Sequence, residues 1–337
     1  MRYRLLRSGT VDRQYQVRII VKIVSDIDVP FLEEAVRREW PEVDIYPMKS
    51  EEITSSAVQD ADILVVRTRT LINESLLSGS LVKLVCTATI GFDHIDTAYC
   101  ESHHIRWMSC PGCNAQAVCD YIEEALNEFA IHNSQLTIGV VGVGHVGSLV
   151  ARMAEQRGMK VLLNDPPKGI GVSLDFIAKN CDIITFHTPL TKDGSFPSYH
   201  LCDEAFLSQC KPGALIINAA RGGIVDEQAL MDSGHPFILD TWENEPHINS
   251  AVLEKALLAS MHIAGYSVQG KRNASQMCLD AIAEDFHLPK IDISEYRYNT
   301  IKKGDSAPGW LSRISDSLKK DPTAFEALRK AYPLRGE

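Results

Sequence analysis

Long apolar runs are missing from this chain: none approaches the roughly 18 residues that a membrane-spanning helix needs, so no span is expected. An excess of basic residues is missing too. Against 34 Lys and Arg stand 44 Asp and Glu, a formal charge of −10. That balance repels nucleic acid and anionic membranes at long range, and any anionic ligand must be caught by a local cluster. Cysteine is thinly spread and odd in number, at nine residues. A chain this long can bury a sufficient core without a disulfide framework. Cys110 and Cys113 in SCPGCNA are the one pair with metal-ligand spacing, yet zinc takes about four ligands and no second pair or His-x-His cluster completes the set. No metal is expected, and His103 with His104 reads as a polar loop. Internal repeats and low-complexity segments are lacking as well. The opening MRYRLLRSGTVDRQYQ carries arginines but no apolar block, unlike a secretory signal. A cytoplasmic protein with reduced thiols is the expectation.

What is present suits a folded α/β protein of two domains: 337 residues, 45% hydrophobic and 23% charged. From Ile19 to Cys110, β-rich runs (IIVKIVSD, VDIYPM, ADILVVRT, LVKLVCTAT) alternate with helical spacing, as in FLEEAVRREW. That pattern predicts a small parallel layer. Asn114 to Asn133 then sets Val118, Tyr121, Ile122, Ala125 and Phe129 on one helical stripe leading into a second unit. In that unit TIGVVG, KVLLND, CDIITFHT, ALIINAA and PFILDTW read as strands of a second doubly wound sheet. A helical stretch from Lys271 to Phe286 could return to the first domain and make it discontinuous. Near the end, Trp310, Leu311, Ile314 and Leu318 share helical spacing, and Asp321-Pro322-Thr323 is a start signal for a last short helix.

A lone Gly-x-Gly-x-x-Gly carries little information; its context decides. Gly142, Gly144 and Gly147 follow a predicted strand and open a helix, with His145 and Val146 at the turn, and the next strand ends in Asp165, 18 residues past Gly147. That is a complete dinucleotide-binding fingerprint, with glycines for the turn and the close approach of a pyrophosphate and a carboxylate for the adenosine ribose. The carboxylate would repel the 2′-phosphate of NADP, so NAD is the expected cofactor. Downstream stand Arg221 in INAARGGIVDE, Glu245 in LDTWENEP and His262 in MHIAGYS. Each alone has an ordinary structural reading, as surface charge, turn residue or core histidine. Together they supply what hydride transfer from an alcohol requires: a base for the hydroxyl proton, a carboxylate to orient that base, and a bidentate clamp for a substrate carboxylate.

The strings GVVGVGHVG, FHTPL, INAARGGIVDE, LDTWENEP and HIAGYS, in this order, resemble the D-isomer-specific 2-hydroxyacid dehydrogenases. More narrowly, VRTRTLINESLL, CTATIGFDHID, PGCNAQAV, NDPP and HIAGYSVQGK resemble the branch of that family that oxidises 4-phospho-D-erythronate on the way to pyridoxal phosphate. The likeness runs from about Val21 to Ile282, with an echo in FEALRKAYPLRGE. It implies Arg221, Glu245 and His262 as the catalytic set, and Thr68, Thr89 and Tyr266 as substrate contacts. It implies NAD contacts from the glycine-loop residues Gly142, Gly144, His145, Val146 and Gly147, and from Asp165, Thr188, Ala219, Ala220, Arg221, Asp240 and Gly265. Two Rossmann-like domains with the active site in the cleft between them are expected. The boundaries expected are a dispensable leader over 1–18, a substrate domain over 19–112 plus 267–287, an NAD domain over 113–266, and an extension over 288–337. The long helix and the extension are the expected contacts of a homodimer, although the Trp310 stripe could equally pack on its own subunit. Another 2-hydroxy acid such as phosphoglycerate, or an NADH-sensing co-regulator on the same fold, are the competing readings.

Overall fold

The computed structural model describes residues 3–5, 17–19, 21–129, 135–296 and 309–335. The chain splits into two compact units, Met1–Cys113 with Lys271–Thr300, and Asn114–Gly270 with Ile301–Glu337.

The first unit holds a five-stranded, all-parallel sheet in the order Asp44–Met48, Lys22–Asp26, Ile63–Val66, Leu84–Thr87, Arg106–Met108. Its central strands read as unbroken apolar runs because both faces are covered, as parallel sheets require. Ile63, Leu64, Val65 and Val66 are all fully buried, with alternate residues facing two separate cores. Helix Leu32–Glu39 buries Leu32, Ala35 and Val36, and it carries Glu33 and Glu34 in its first turn and Arg37 and Arg38 in its last. Those charges suit its dipole. Helix Val268–Phe286 brings Cys278, Leu279 and Ile282 into the core of this unit. Residues 288–296 also belong here: Ile291 and Ile293 are buried, and the Trp40 indole donates to the Pro289 carbonyl at 2.8 Å. In the expected leader over 1–18 and the residue after it, Tyr3–Leu5 pairs antiparallel with Val17–Ile19. The rest of that segment lies outside the described residues.

The second unit is a seven-stranded sheet ordered Ile170–Gly171, Lys160–Asp165, Thr137–Val141, Ile183–Phe186, Leu215–Asn218, Phe237–Leu239, Leu258–Ala259. All pairings are parallel except that of the two-residue edge strand Ile170–Gly171. The chain winds outward both ways from Thr137–Val141, so the switch of direction falls between that strand and Ile183–Phe186. Ligands of open α/β sheets bind at the carboxyl ends of strands beside such a switch.

Helix Ala115–Glu128 buries Val118, Tyr121, Ile122, Ala125 and Leu126 against this unit, whereas Phe129, placed on the same stripe by spacing, is exposed at the helix end. The C-terminal segment packs here as well. Helix Trp310–Lys320 sets Trp310, Leu311 and Leu318 into the same core, with Ile314 partly buried beside them. Its first N–H groups, from Leu311 and Ser312, donate to the Glu128 carboxylate at 2.8 and 2.9 Å. Of the two readings of the Trp310 stripe, packing on its own chain is the one seen, because its apolar residues find a ready core there.

Candidate active site and cofactor cradle

The glycine loop follows strand Thr137–Val141 and opens helix His145–Gln156. Gly142 stands at φ +89°, where a side chain would be strained, and a Cβ on it would meet the backbone of His187 and Thr188 within 2.8 Å. A Cβ on Gly147 would lie 1.9 Å from the Gly142 carbonyl oxygen, whereas one on Gly144 would meet nothing within 4 Å. The first and third glycines therefore serve packing, and the middle one faces open space at a helix N-terminus. A pyrophosphate suits that place. His145 is exposed and Val146 half-buried at the same turn.

Asp165 ends strand Lys160–Asp165, and its Oδ2 accepts the Val143 N–H at 2.8 Å. Lys168 donates to the Val143 carbonyl at 2.7 Å and stands 3.6 Å from the same carboxylate oxygen. The carboxylate thus braces the glycine loop, and a cation beside it offsets part of its charge. Across the switch point, Thr188 presents a buried hydroxyl with no partner among the described residues. An open glycine turn, a carboxylate and an unsatisfied hydroxyl at the ends of three neighbouring strands fit a dinucleotide.

Arg221 sits just beyond strand Leu215–Asn218, in a turn that closes on itself. The Asn218 side chain donates to the Arg221 carbonyl at 2.9 Å and accepts the Ala220 N–H at 3.1 Å. Only glycine fits next, since a Cβ on Gly222 would lie 1.8 Å from the Trp242 carbonyl oxygen. The Arg221 guanidinium bonds the Ala220 carbonyl at 2.8 Å, and no carboxylate among the described residues pairs with it. It is therefore free to take an anionic ligand, and Ala219 and Ala220 line the same turn.

His262 and Glu245 follow the neighbouring strands Leu258–Ala259 and Phe237–Leu239, which brings them together. His262 Nδ1 is 2.8 Å from Glu245 Oε2. Acceptance by a carboxylate assigns the proton to Nδ1 and leaves the Nε2 lone pair for a ligand. The other oxygen of Glu245 accepts the Trp242 N–H at 2.9 Å. Burial alone would raise the Glu245 carboxyl, but the His262 hydrogen bond and charge outweigh it, with help from the Trp242 N–H and from Arg329, and the group is held below its ordinary value. The glutamate stays ionised beside its histidine.

The His262 backbone lies at φ +58°, in the left-handed region that non-glycine residues avoid. Asp240 holds it there. The Asp240 carbonyl accepts the His262 N–H at 2.8 Å, and its carboxylate accepts Ile263 N–H, Ala264 N–H and Ser260 Oγ–H at 2.8, 2.9 and 2.6 Å. Both carboxylate oxygens of Asp240 are spent inward on a fully buried site, so the carboxylate is not what Asp240 offers a cofactor. Gly265 continues the loop, packed so closely on Asn114 that a Cβ would overlap its side chain.

The C-terminal segment adds residues that sequence reasoning missed. Arg329 donates through Nε to the Tyr266 hydroxyl at 3.0 Å, and its guanidinium lies over the Tyr266 ring. Buried Arg335 donates to the carbonyls of Ala117, Ile263, Ala264 and Tyr266, stapling the loop that carries His262. The signal available was the FEALRKAYPLRGE echo, which matched without suggesting a place.

In the first unit, Thr68 is exposed after strand Ile63–Val66. Thr89 follows strand Leu84–Thr87 with its hydroxyl donating to the Gly91 carbonyl at 2.9 Å and lying 2.7 Å from the Thr87 hydroxyl. The four cysteines Cys86, Cys110, Cys113 and Cys278 gather in this core, all buried. No group of three or more metal-ligating side chains forms among the described residues, and no helix among them is long and apolar enough to cross a membrane.

Residues 119–274 match the family described as D-isomer specific 2-hydroxyacid dehydrogenase, NAD binding domain. An erythronate-4-phosphate dehydrogenase of Bacteroides fragilis is 43% identical, over 94% of this chain and 97% of its own. The chain belongs to the erythronate-4-phosphate dehydrogenases. A second such protein, from Coxiella burnetii, is 36% identical over 94% of this chain and 93% of its own. Among solved structures, D-lactate dehydrogenase of Aquifex aeolicus, complexed with NAD and lactic acid, shares 26% identity. It superposes with a TM-score of 0.63 over 79% of this chain and 95% of its own. A pure sensing role is the weaker reading beside a complete acid–base pair in a dehydrogenase family.

Proposed function

We propose that this chain oxidises 4-phospho-D-erythronate at C2 to (R)-3-hydroxy-2-oxo-4-phosphooxybutanoate with NAD, within the synthesis of pyridoxal 5′-phosphate. The observation that carries the reading is the His262–Glu245 pair, 2.8 Å apart beside strand ends of the cofactor unit, in a chain 43% identical to an erythronate-4-phosphate dehydrogenase over nearly its whole length. NAD held at the glycine loop beside Asp165 would supply the hydride acceptor for C2. His262 Nε2 takes the C2 hydroxyl proton, and Glu245 stabilises the imidazolium that results. Arg221 binds the substrate carboxylate through two hydrogen bonds and stabilises the carbonyl oxygen as it forms. Tyr266, steadied by Arg329, together with Thr68 and Thr89, contacts substrate. Gly142, Gly144, His145, Val146, Gly147, Asp165, Thr188, Ala219, Ala220, Asp240 and Gly265 are the residues that would hold the cofactor.

The same reading sets the reaction in the cytoplasm and the protein as a homodimer. The dimer must use surfaces other than the Trp310 stripe, which is already covered. Sedimentation of the intact chain tests the dimer. Following NADH absorbance with 4-phospho-D-erythronate tests the reaction, and no turnover would dismiss it.

A further inference from the structure

Three neighbouring strands of the second unit, Ile183–Phe186, Leu215–Asn218 and Phe237–Leu239, end in loops that carry Thr188, Arg221 and Glu245. His200, from the first of these loops, reaches the other two. Its Nε2 lies 2.9 Å from Glu243 Oε1, on the loop of Glu245, and its Nδ1 lies 3.3 Å from Asp226 Oδ2, at the end of the Arg221 turn. Both ring nitrogens therefore face carboxylate oxygens. Neutral imidazole carries a single N–H, whereas imidazolium donates from both nitrogens, so the ring serves both partners as a cation. No other cation pairs with Asp226 or Glu243 among the described residues. A third acid, the buried Glu227, stands beside them and accepts the Glu243 N–H on Oε1 at 2.6 Å. Acidic groups crowded in this way repel one another unless a cation joins them. The backbone of His200 lies at φ +50°, in the left-handed region, and the Tyr199 ring stacks on the imidazole at 4.0 Å. Such strain persists where the surroundings over-determine it. Here the His200 N–H donates to the Gly223 carbonyl at 2.7 Å, and Cys202 exchanges backbone bonds with Ile224 and Asp226 at 3.1 and 3.0 Å.

We propose that His200 is a positioning residue: by spanning Asp226 and Glu243 it fixes the Arg221 turn against the loop of Glu245, and so sets where a substrate carboxylate sits relative to His262. For its catalytic consequence the proposal rests on the roles given above to Arg221, Glu245 and His262, and for the tie itself on the His200 geometry. The two loops already touch, since a Cβ on Gly222 would lie 1.8 Å from the Trp242 carbonyl oxygen. That contact keeps them from approaching, and the pairing through His200 keeps them from parting. Each end of the tie is anchored. The other oxygen of Asp226 accepts the Ala229 N–H at 3.0 Å and caps helix Glu227–Ser233. Next to Glu243, the Trp242 N–H donates to Glu245 Oε1 at 2.9 Å, so a shift of this stretch carries the Glu245 carboxylate with it.

The test compares the intact enzyme with His200→Asn, Glu243→Ala and the double variant. Asparagine tolerates the left-handed backbone, and its short amide cannot reach both carboxylates, so the change removes the span and keeps the loop. With 4-phospho-D-erythronate, His200→Asn should lower kcat by roughly 10- to 100-fold, the scale of a misplacement of about 1 Å. NAD affinity should stay within about threefold, a split that general loss of structure would not give. Glu243→Ala should cost a similar factor, and the double variant no more than about twofold beyond the larger single loss, because both changes break one tie. A kcat within about twofold in His200→Asn, NAD affinity lost in step with kcat, or single losses that multiply in the double variant overturns the proposal. A second readout needs no turnover. In crystals of His200→Asn, the Cα atoms of Arg221 and Glu245 should lie about 1 Å further apart than in the unmutated protein, and a separation unchanged within about 0.3 Å overturns the tie. Inactivity of the unmutated protein toward 4-phospho-D-erythronate alongside that displacement leaves the tie standing and removes the substrate reading instead.

Discussion

Asp240→Asn exposes the logic of the active-site loop. The carboxylate accepts three hydrogen bonds in a fully buried place, two on Oδ1 and one on Oδ2. Asparagine has one carbonyl oxygen, which can replace Oδ1 and keep Ser260 and Ile263. Its amide NH2 must then face the Ala264 N–H, donor against donor. A charge-assisted bond of roughly 1.5–3 kcal/mol is lost and a buried N–H is left unsatisfied at about 1–3 kcal/mol, partly offset because no charge is now buried, for a net of about 2–4 kcal/mol. The strain of His262 at φ +58°, of order 1 kcal/mol, then has less to hold it. Urea unfolding of the cofactor unit should register the full destabilisation. A displacement of His262 by about 1 Å should lower kcat up to 100-fold. NAD affinity, measured by fluorescence quenching, should fall much less than kcat. A variant within about 0.5 kcal/mol of the original, the scatter of ordinary surface changes, with undiminished kcat, would refute the claim that Asp240 clamps this loop.

Other perturbations test the remaining parts. His262→Asn should keep NAD binding and lower kcat by roughly 10²- to 10⁴-fold, and Glu245→Gln should displace the acid limb of the pH–rate profile; an unchanged rate in the histidine variant removes it from the mechanism. For cofactor choice, the unmutated enzyme should favour NAD over NADP, and Asp165→Asn should shrink that ratio by about tenfold, less than a bare like-charge repulsion of roughly 4 kcal/mol implies, because Lys168 stands beside the carboxylate. An unaltered ratio sinks the role. Glu227 is pushed up to about 7 by burial, with Glu243, Glu245 and Asp226 adding to the rise. The native state therefore binds more protons than the unfolded chain between about pH 4.5 and 7. Stability on this account falls as pH rises through that window, by on the order of 3 kcal/mol. Glu227→Gln should gain most of that at pH 8 and little at pH 4, and equal unfolding midpoints at pH 8 would count against it.

Much of the site could be read in the sequence because its signals are local. The glycine fingerprint needs only a strand, a turn and a helix in succession, and Thr137–Val141 followed by His145–Gln156 supplies them. Glu245 and His262 were legible because parallel strands place successive loop ends side by side. Strand Arg106–Met108 was not, being a short edge with an exposed Arg106 and no apolar run. Arg329 and Arg335 were illegible for another reason. Their meaning lies in what they meet across the fold, and a basic residue has the same local pattern whether it faces water, a tyrosine or a row of backbone carbonyls. The Trp310 stripe shows the same limit, since helical spacing marks an apolar face and leaves open whose core covers it.

The most direct measurement is the initial rate of NADH formation by the intact protein with 4-phospho-D-erythronate, D-erythronate and 3-phospho-D-glycerate, each over a range that defines kcat/KM. The four-carbon phosphorylated acid should exceed each of the others by at least about 100-fold, roughly 2.7 kcal/mol of transition-state discrimination. Equal values for D-erythronate and its 4-phosphate, or a preference for 3-phospho-D-glycerate, would contradict the assignment.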